Sequence, residues 1–239
     1  MNCPKWAVVV ALAAFGMGAA AQSPPPAQPP PTPQQRVAVL KQWMQASQAQ
    51  LRAYQWIETT VISKGGEEKS RKQNTCYYGA DGNLQKVAVA GAAPEKSGGG
   101  PLKKKIAANK KEEMTAYMQS AVALVKSYVP PDPALIQQSQ NAGKVSVNMI
   151  EPNRRIRLDF KDYLKPGDVL GVEIELPTNR LLGANVSSYL DSPEDPVTLK
   201  ATMSVLPDGT IYTARTVLDA KAQDLTVTVE NSGYRRTAN

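Results

Sequence analysis

Between residues 144 and 234 apolar side chains recur at every second position, and that period restricts what the chain can fold into more than any other feature. Ile156, Leu158 and Phe160 alternate with Arg155, Arg157 and Asp159, and Leu170, Val172, Ile174 and Leu176 alternate with Gly171, Glu173 and Glu175. Val197, Leu199, Ala201, Met203 and Val205 form a third such face, while residues 211–218 and the set Leu225, Val227 and Val229 give two more strands. Successive side chains of an extended chain point to opposite sides. Each strand is therefore buried on one face and wet on the other, as in an antiparallel meander. Lys165-Pro166-Gly167-Asp168 and Pro207-Asp208-Gly209 supply turns between them, since Pro presets φ and Gly reaches positive φ without a Cβ clash.

The first half of the chain mixes periods. Val37, Leu40, Met44, Ser47, Leu51 and Tyr54 lie three or four apart, with Val39 and Trp43 beside them, which predicts an amphipathic helix over residues 34–54. Strands are expected over 55–63, 70–78 and 84–90, joined by turns at Gly65-Gly66 and Asp81-Gly82. Residues 91–108, with Gly98-Gly99-Gly100-Pro101 and Lys103-Lys104-Lys105, read as a flexible basic loop. Asn109 can then cap a second helix, with Glu112 three residues on and Met114, Tyr117, Met118, Ala121, Val125 and Tyr128 on one face. Pro130-Pro131 stop it, and Asp132-Pro133 open a short third helix that ends near 141–143. With a strand over 180–190, the count reaches about ten.

About ten strands and three helices must bury every apolar face. That gives an α+β fold in which a strongly curved antiparallel sheet, a half-barrel, holds helices on its concave face. In this order of elements, residues 34–234 resemble the LolA/LolB-type periplasmic lipoprotein carriers, a superfamily whose relatives include RseB-like sensors. The turns Tyr77-Tyr78-Gly79-Ala80-Asp81-Gly82-Asn83-Leu84 and Leu206-Pro207-Asp208-Gly209-Thr210 carry the resemblance. It implies an apolar cavity for acyl chains between half-barrel and helices, and binding rather than catalysis. Those carriers are rich in bulky aromatics, whereas Phe160, Trp43 and Trp56 are the only Phe and Trp after residue 21. The inner face expected here is aliphatic and methionine-lined instead.

At the amino terminus Lys5, an apolar run over residues 6–15 and Ala19-Ala20-Ala21 before Gln22 follow the order of a cleavable secretory signal. The run is shorter than the roughly 20 residues that a spanning helix needs. Residues 1–21 are read as a signal peptide directing the protein to the periplasm. Pro24, Pro25, Pro26, Pro29, Pro30, Pro31 and Pro33 make residues 22–35 a proline-rich disordered linker, and residues 36–239 form a single LolA-like domain. Cys3 precedes the apolar run, which does not fit a lipoprotein signal. Cleavage leaves Cys76 as the one cysteine, so no intramolecular disulfide can form. The chain contains no histidine. Ser-His and Cys-His nucleophile pairs are thereby excluded, along with the commonest metal ligand. No G-x-S-x-G, Ser-x-x-Lys or phosphate-loop pattern occurs. The expectation is a protein that is not an enzyme and that uses no cofactor or metal.

The face that would border a cavity comprises Trp56, Met118, Val125, Ile156, Leu158, Phe160, Val172, Ile174, Met203 and Val205. The same alternation is needed to fold the sheet at all, so these residues fit a plain packed core as well as an adaptable pocket. The function expected is binding or carrying an apolar or lipid-like ligand, a lipoprotein or acyl chain, in the cell envelope. Two alternatives stay open. One is a ligand-free protein-interaction or envelope-stress sensor module. The other is a hydrolase using Glu173 and Glu175, which lie on one strand face roughly 7 Å apart along the strand. The net charge is +7, and Lys103, Lys104, Lys105, Lys110 and Lys111 gather in one span that suits either an anionic membrane surface or a hydrated loop. Candidate partners are thus a lipid or an acylated protein and an anionic membrane. Nucleic acid is not expected, because no aromatic platform is interleaved with the charge, and the expected state is a monomer.

Overall fold

Residues 42, 45–89 and 101–237 are described by a computed structural model of the chain, with the backbone alone for 101–111. The expected signal peptide, the proline-rich linker and most of the first helix lie outside the described residues. Residues 45–51 are helical (α1). Three strands follow, β1 (Tyr54–Lys64), β2 (Glu67–Tyr78) and β3 (Leu84–Ala88), then two helices, α2 (Pro101–Lys126) and α3 (Pro133–Asn141). Seven strands complete the fold: β4 (Val145–Glu151), β5 (Arg155–Lys161), β6 (Val169–Glu175), β7 (Arg180–Tyr189), β8 (Pro196–Val205), β9 (Ile211–Ala220) and β10 (Leu225–Arg236).

The ten strands form one antiparallel sheet in the order β3-β2-β1-β10-β9-β8-β7-β6-β5-β4. Hairpins account for every neighbour but one, since β1 lies beside β10. The edges are therefore β3 and β4, the two strands that flank the helical insertion, and the sheet stays open between them. α2 has 26 residues, about 39 Å at the helical rise. That matches nine interstrand spacings, roughly 43 Å, so the insertion is long enough to carry the chain from one edge back to the other. On the inner face the register sets Phe160, Leu170, Val186, Leu199, Leu218, Val227 and Ile62 in one row across seven strands. Ala121, Val125, Tyr128 and Ile136 from the helical insertion are buried in the same core. Adjacent strands rotate by about 20–25°, and a sheet this wide coils around what covers it, which is the half-barrel expected from the alternation.

Three local expectations need correction. The first helix ends at 51, and Tyr54 opens β1 instead of closing α1. Its ring is buried with the sheet and its hydroxyl donates to Asp208 Oδ2 at 2.6 Å, so its three-residue spacing from Leu51 is not helical. β2 begins at Glu67, not at residue 70. Positive φ at both Gly65 and Gly66 makes a tight turn whose pairing starts at once, although Glu67, Glu68 and Lys69 supply no apolar signal. α2 begins at Pro101, so residues 101–108 are helix rather than loop and Asn109 lies inside it instead of capping it. Pro at the first position followed by Leu, Lys, Ile and Ala is favourable helix chemistry. The rest of the expected loop, 91–100, lies outside the described residues. The third helix starts where expected, with Asp132 accepting from Ala134 N at 2.7 Å.

Candidate functional site

Small side chains on the inner face leave the covering elements standing off the sheet at one place. Ala184 of β7 is paired with Ala201 of β8 on one side and with Val172 of β6 on the other. β7 is also irregular here, because Glu173 pairs with Gly183 while Ile174 pairs with Leu181. The bulge lets Leu181 and Ala184, three residues apart, both be buried on the inner side. Opposite them runs the link between α2 and α3, where Pro130 and Pro131 prevent the helix from continuing. A cavity of about 520 Å3 remains between the two. Phe160, Val172, Leu181, Ala184 and Met203 form its floor, Val129, Pro130, Pro131, Pro133 and Ile136 its roof, and Gln45, Gln48 and Asp132 stand at the mouth.

Buried hydrogen bonds hold the roof in place. Asp168, in the turn between β5 and β6, is fully buried and accepts from the backbone N–H groups of Tyr163 (2.5 Å), Leu164 (3.0 Å) and Lys165 (2.9 Å). It also accepts from the hydroxyl of Tyr128, the residue just before the roof, at 2.5 Å. Tyr128 in turn shares a 2.8 Å hydrogen bond with Ser188 of β7. At the far end of the roof Asp132 N donates to the Tyr163 hydroxyl at 2.7 Å. Burial, and then the bond to Asp168, push the Tyr128 phenol above its ordinary value, and burial does the same to Tyr163. α1 is held at the mouth by the β8–β9 turn. Ile211 N donates to Ser47 Oγ at 3.0 Å, and Thr210 Oγ1 donates to Gln50 Oε1 at 2.9 Å.

The ten side chains expected to border a cavity separate into groups. Phe160, Val172 and Met203 line it. Val125, Ile156, Leu158 and Ile174 are buried in the packed core beside it, and Met118 is half-buried against that core. Val205 faces a neighbouring recess of about 230 Å3 with Ala46, Ser47 and Ile211. Trp56 is remote from the cavity. Its ring stacks on Tyr234 at 5.5 Å and its Nε1 donates to Asn231 Oδ1 at 3.1 Å. Lys103, Lys104, Lys105, Lys110 and Lys111 fall on the first half of α2, where their side chains lie outside the described residues.

Sequence reasoning missed Leu181, Ala184, Ile136, the proline link and the two glutamines. The prolines were legible as a helix stop but not as a roof, and strict alternation places Leu181 and Ala184 on opposite faces. Glu173 and Glu175 lie on the outer side of the sheet. Glu173 accepts from Asn185 Nδ2 at 3.1 Å, whereas Glu175 accepts from Thr178 at 2.7 Å and pairs with Arg180 at 3.0 Å. Glu173 lines an outer recess of about 260 Å3 with Arg155, Asn185 and Lys200, and Glu175 is not part of that lining.

No family model matches the chain, and no curated protein matches it. Among solved structures it is similar to the LolA superfamily protein NE2245 from Nitrosomonas europaea, with 7% sequence identity and a TM-score of 0.37, over 83% of this chain and 94% of that one.

Proposed function

We propose that the protein binds or carries an apolar or lipid-like ligand in the cavity over β5–β8, within the cell envelope. The observation that carries this reading is an apolar cavity of about 520 Å3 at a place where a plain core would be filled. Protein interiors pack as densely as organic crystals, with few voids larger than a water molecule. Ligand sites typically measure about 300–1,000 Å3 and combine apolar walls with a few polar groups. The floor here is apolar and the polar side chains stand at the mouth. The signal-peptide order at the amino terminus supports the envelope, and no described helix is long and apolar enough to cross a membrane. Binding is favoured over catalysis because the two candidate carboxylates lie on the opposite side of the sheet from the cavity, each engaged elsewhere.

Titration with a fluorescent fatty-acyl probe and urea unfolding of the same two proteins, wild type and Met203→Ala, test the proposal. Wild type is expected to take up the probe saturably. The variant should bind it with altered affinity while losing less than the about 2–5 kcal/mol typical of truncation in a packed core. Absence of saturable uptake, together with a full core-type loss of stability in the variant, would leave the ligand-free interaction module as the better reading.

A further inference from the structure

We infer that the cavity takes one acyl chain of an amphiphile whose head forms hydrogen bonds and bears no negative charge, and not two or three chains. The inference rests on the binding function proposed above and adds the size and head group of the ligand. A methylene is close in size to a water molecule, whose share of liquid volume is about 30 Å3. The cavity of about 520 Å3 therefore holds roughly 17 such groups, which is one chain of about 14–18 carbons. Two chains of that length need about 1,000 Å3 on the same count. Depth is set by the floor. Ala184, whose side chain is a single methyl, sits there between Val172 and Ala201 in the neighbouring strands, so a longer side chain at 184 would occupy space that ligand carbons fill.

The polar lining is confined to the mouth, where Gln45, Gln48 and Asp132 are all exposed. The Phe160, Val172, Leu181 and Ala184 side chains of the floor are buried and apolar. A ligand that is apolar along its length and polar at one end matches that distribution. The two amides donate and accept hydrogen bonds. Asp132 adds a carboxylate, which an uncharged head tolerates and a carboxylate head meets as a like charge.

Calorimetric titration of the full protein with saturated monoacylglycerols of increasing chain length, with palmitate and with dipalmitoylglycerol tests the inference. One monoacylglycerol per protein is expected, with an affinity maximum near 16 carbons by the volume count, roughly, and weaker binding of both palmitate and the diacylglycerol. Ala184→Leu adds three carbons to the floor and should move the maximum to chains about three carbons shorter without lowering the melting temperature. Asp132→Asn keeps the helix cap, because Asn caps as well as Asp, and should strengthen palmitate binding several-fold relative to monoacylglycerol binding.

Preferential binding of dipalmitoylglycerol, or more than one chain per protein, overturns the size inference and leaves the binding function standing. Palmitate bound as tightly as the monoacylglycerol, with no response to Asp132→Asn, overturns the head-group inference. The wild-type chain-length series decides the size even if Ala184→Leu folds poorly. No uptake of any probe removes the binding function and this inference with it.

Discussion

Asp168 shows how much of the cavity depends on single side chains. A buried carboxylate is costly unless its oxygens are satisfied, and here three backbone N–H groups and the Tyr128 hydroxyl satisfy them. The bond to Tyr128 is the one that reaches from the sheet to the roof. Tyr128→Phe removes it and leaves Asp168 short of a donor, so it is expected to cost about 1–3 kcal/mol at neutral pH and to weaken probe binding. The same residue predicts a pH dependence. Its phenol titrates above the ordinary value because of burial and the Asp168 bond, so the folded state binds the proton more tightly than the unfolded chain. The resulting stability is complete below about pH 10, the ordinary tyrosine value, and is lost as pH rises beyond it. Thermal melts from neutral to strongly alkaline pH should stay level and then fall, and Tyr128→Phe should flatten part of that fall. An alkaline slope unchanged in the variant would show that this phenol does not contribute.

At the scale of elements, the alternation was legible wherever strands run regularly. Ile156, Leu158 and Phe160, and likewise Leu170, Val172 and Ile174, are buried as their spacing implies. It failed where a strand is irregular. The β7 bulge turns Leu181 and Ala184 to one side, and a second shift beside Met203 skips Ala214 of β9. Nothing in residue type announces either event except Gly183. A Cβ at that glycine would stand 2.6 Å from the Ala201 carbonyl oxygen of β8, too close for any real side chain, so the strands approach here because the residue has none. Gly183→Ala is expected to cost about 1–3 kcal/mol, the range for forced overpacking, and to disturb the cavity floor through its neighbour Ala184. Equilibrium urea unfolding measures the cost, and a value near zero would mean that the bulge relaxes freely. The early start of α2 was hidden for a different reason, since the glycines just ahead of it and the lysine run in its first turns resemble a loop, although the proline and good helix formers there favour a helix.

For the whole molecule, the class of fold followed from period and order, but the site did not. Pairing of β1 with β10 brings the two ends of the described chain together, and no local pattern encodes that contact. It leaves the helical insertion to connect the open edges, and the proline link between its helices becomes the roof of a cavity whose floor comes from four other strands. Three of the ten residues expected at the cavity reach it because they share the inner face with the core; which of them meet space and which meet neighbours depends on the link. The inner face also continues past the helices at the β4 edge. Val147 and Met149 are paired with buried Leu158 and Ile156 there, yet are 61% and 64% exposed.

That contrast between a roofed and an unroofed part of one apolar face makes methyl NMR during titration with a single-chain acyl probe the most direct measurement. The account predicts saturable shifts at Ile136, Val172, Leu181, Ala184 and Met203, with Val147 and Met149 unchanged. Shifts confined to Val147 and Met149, or none that saturate, would contradict it.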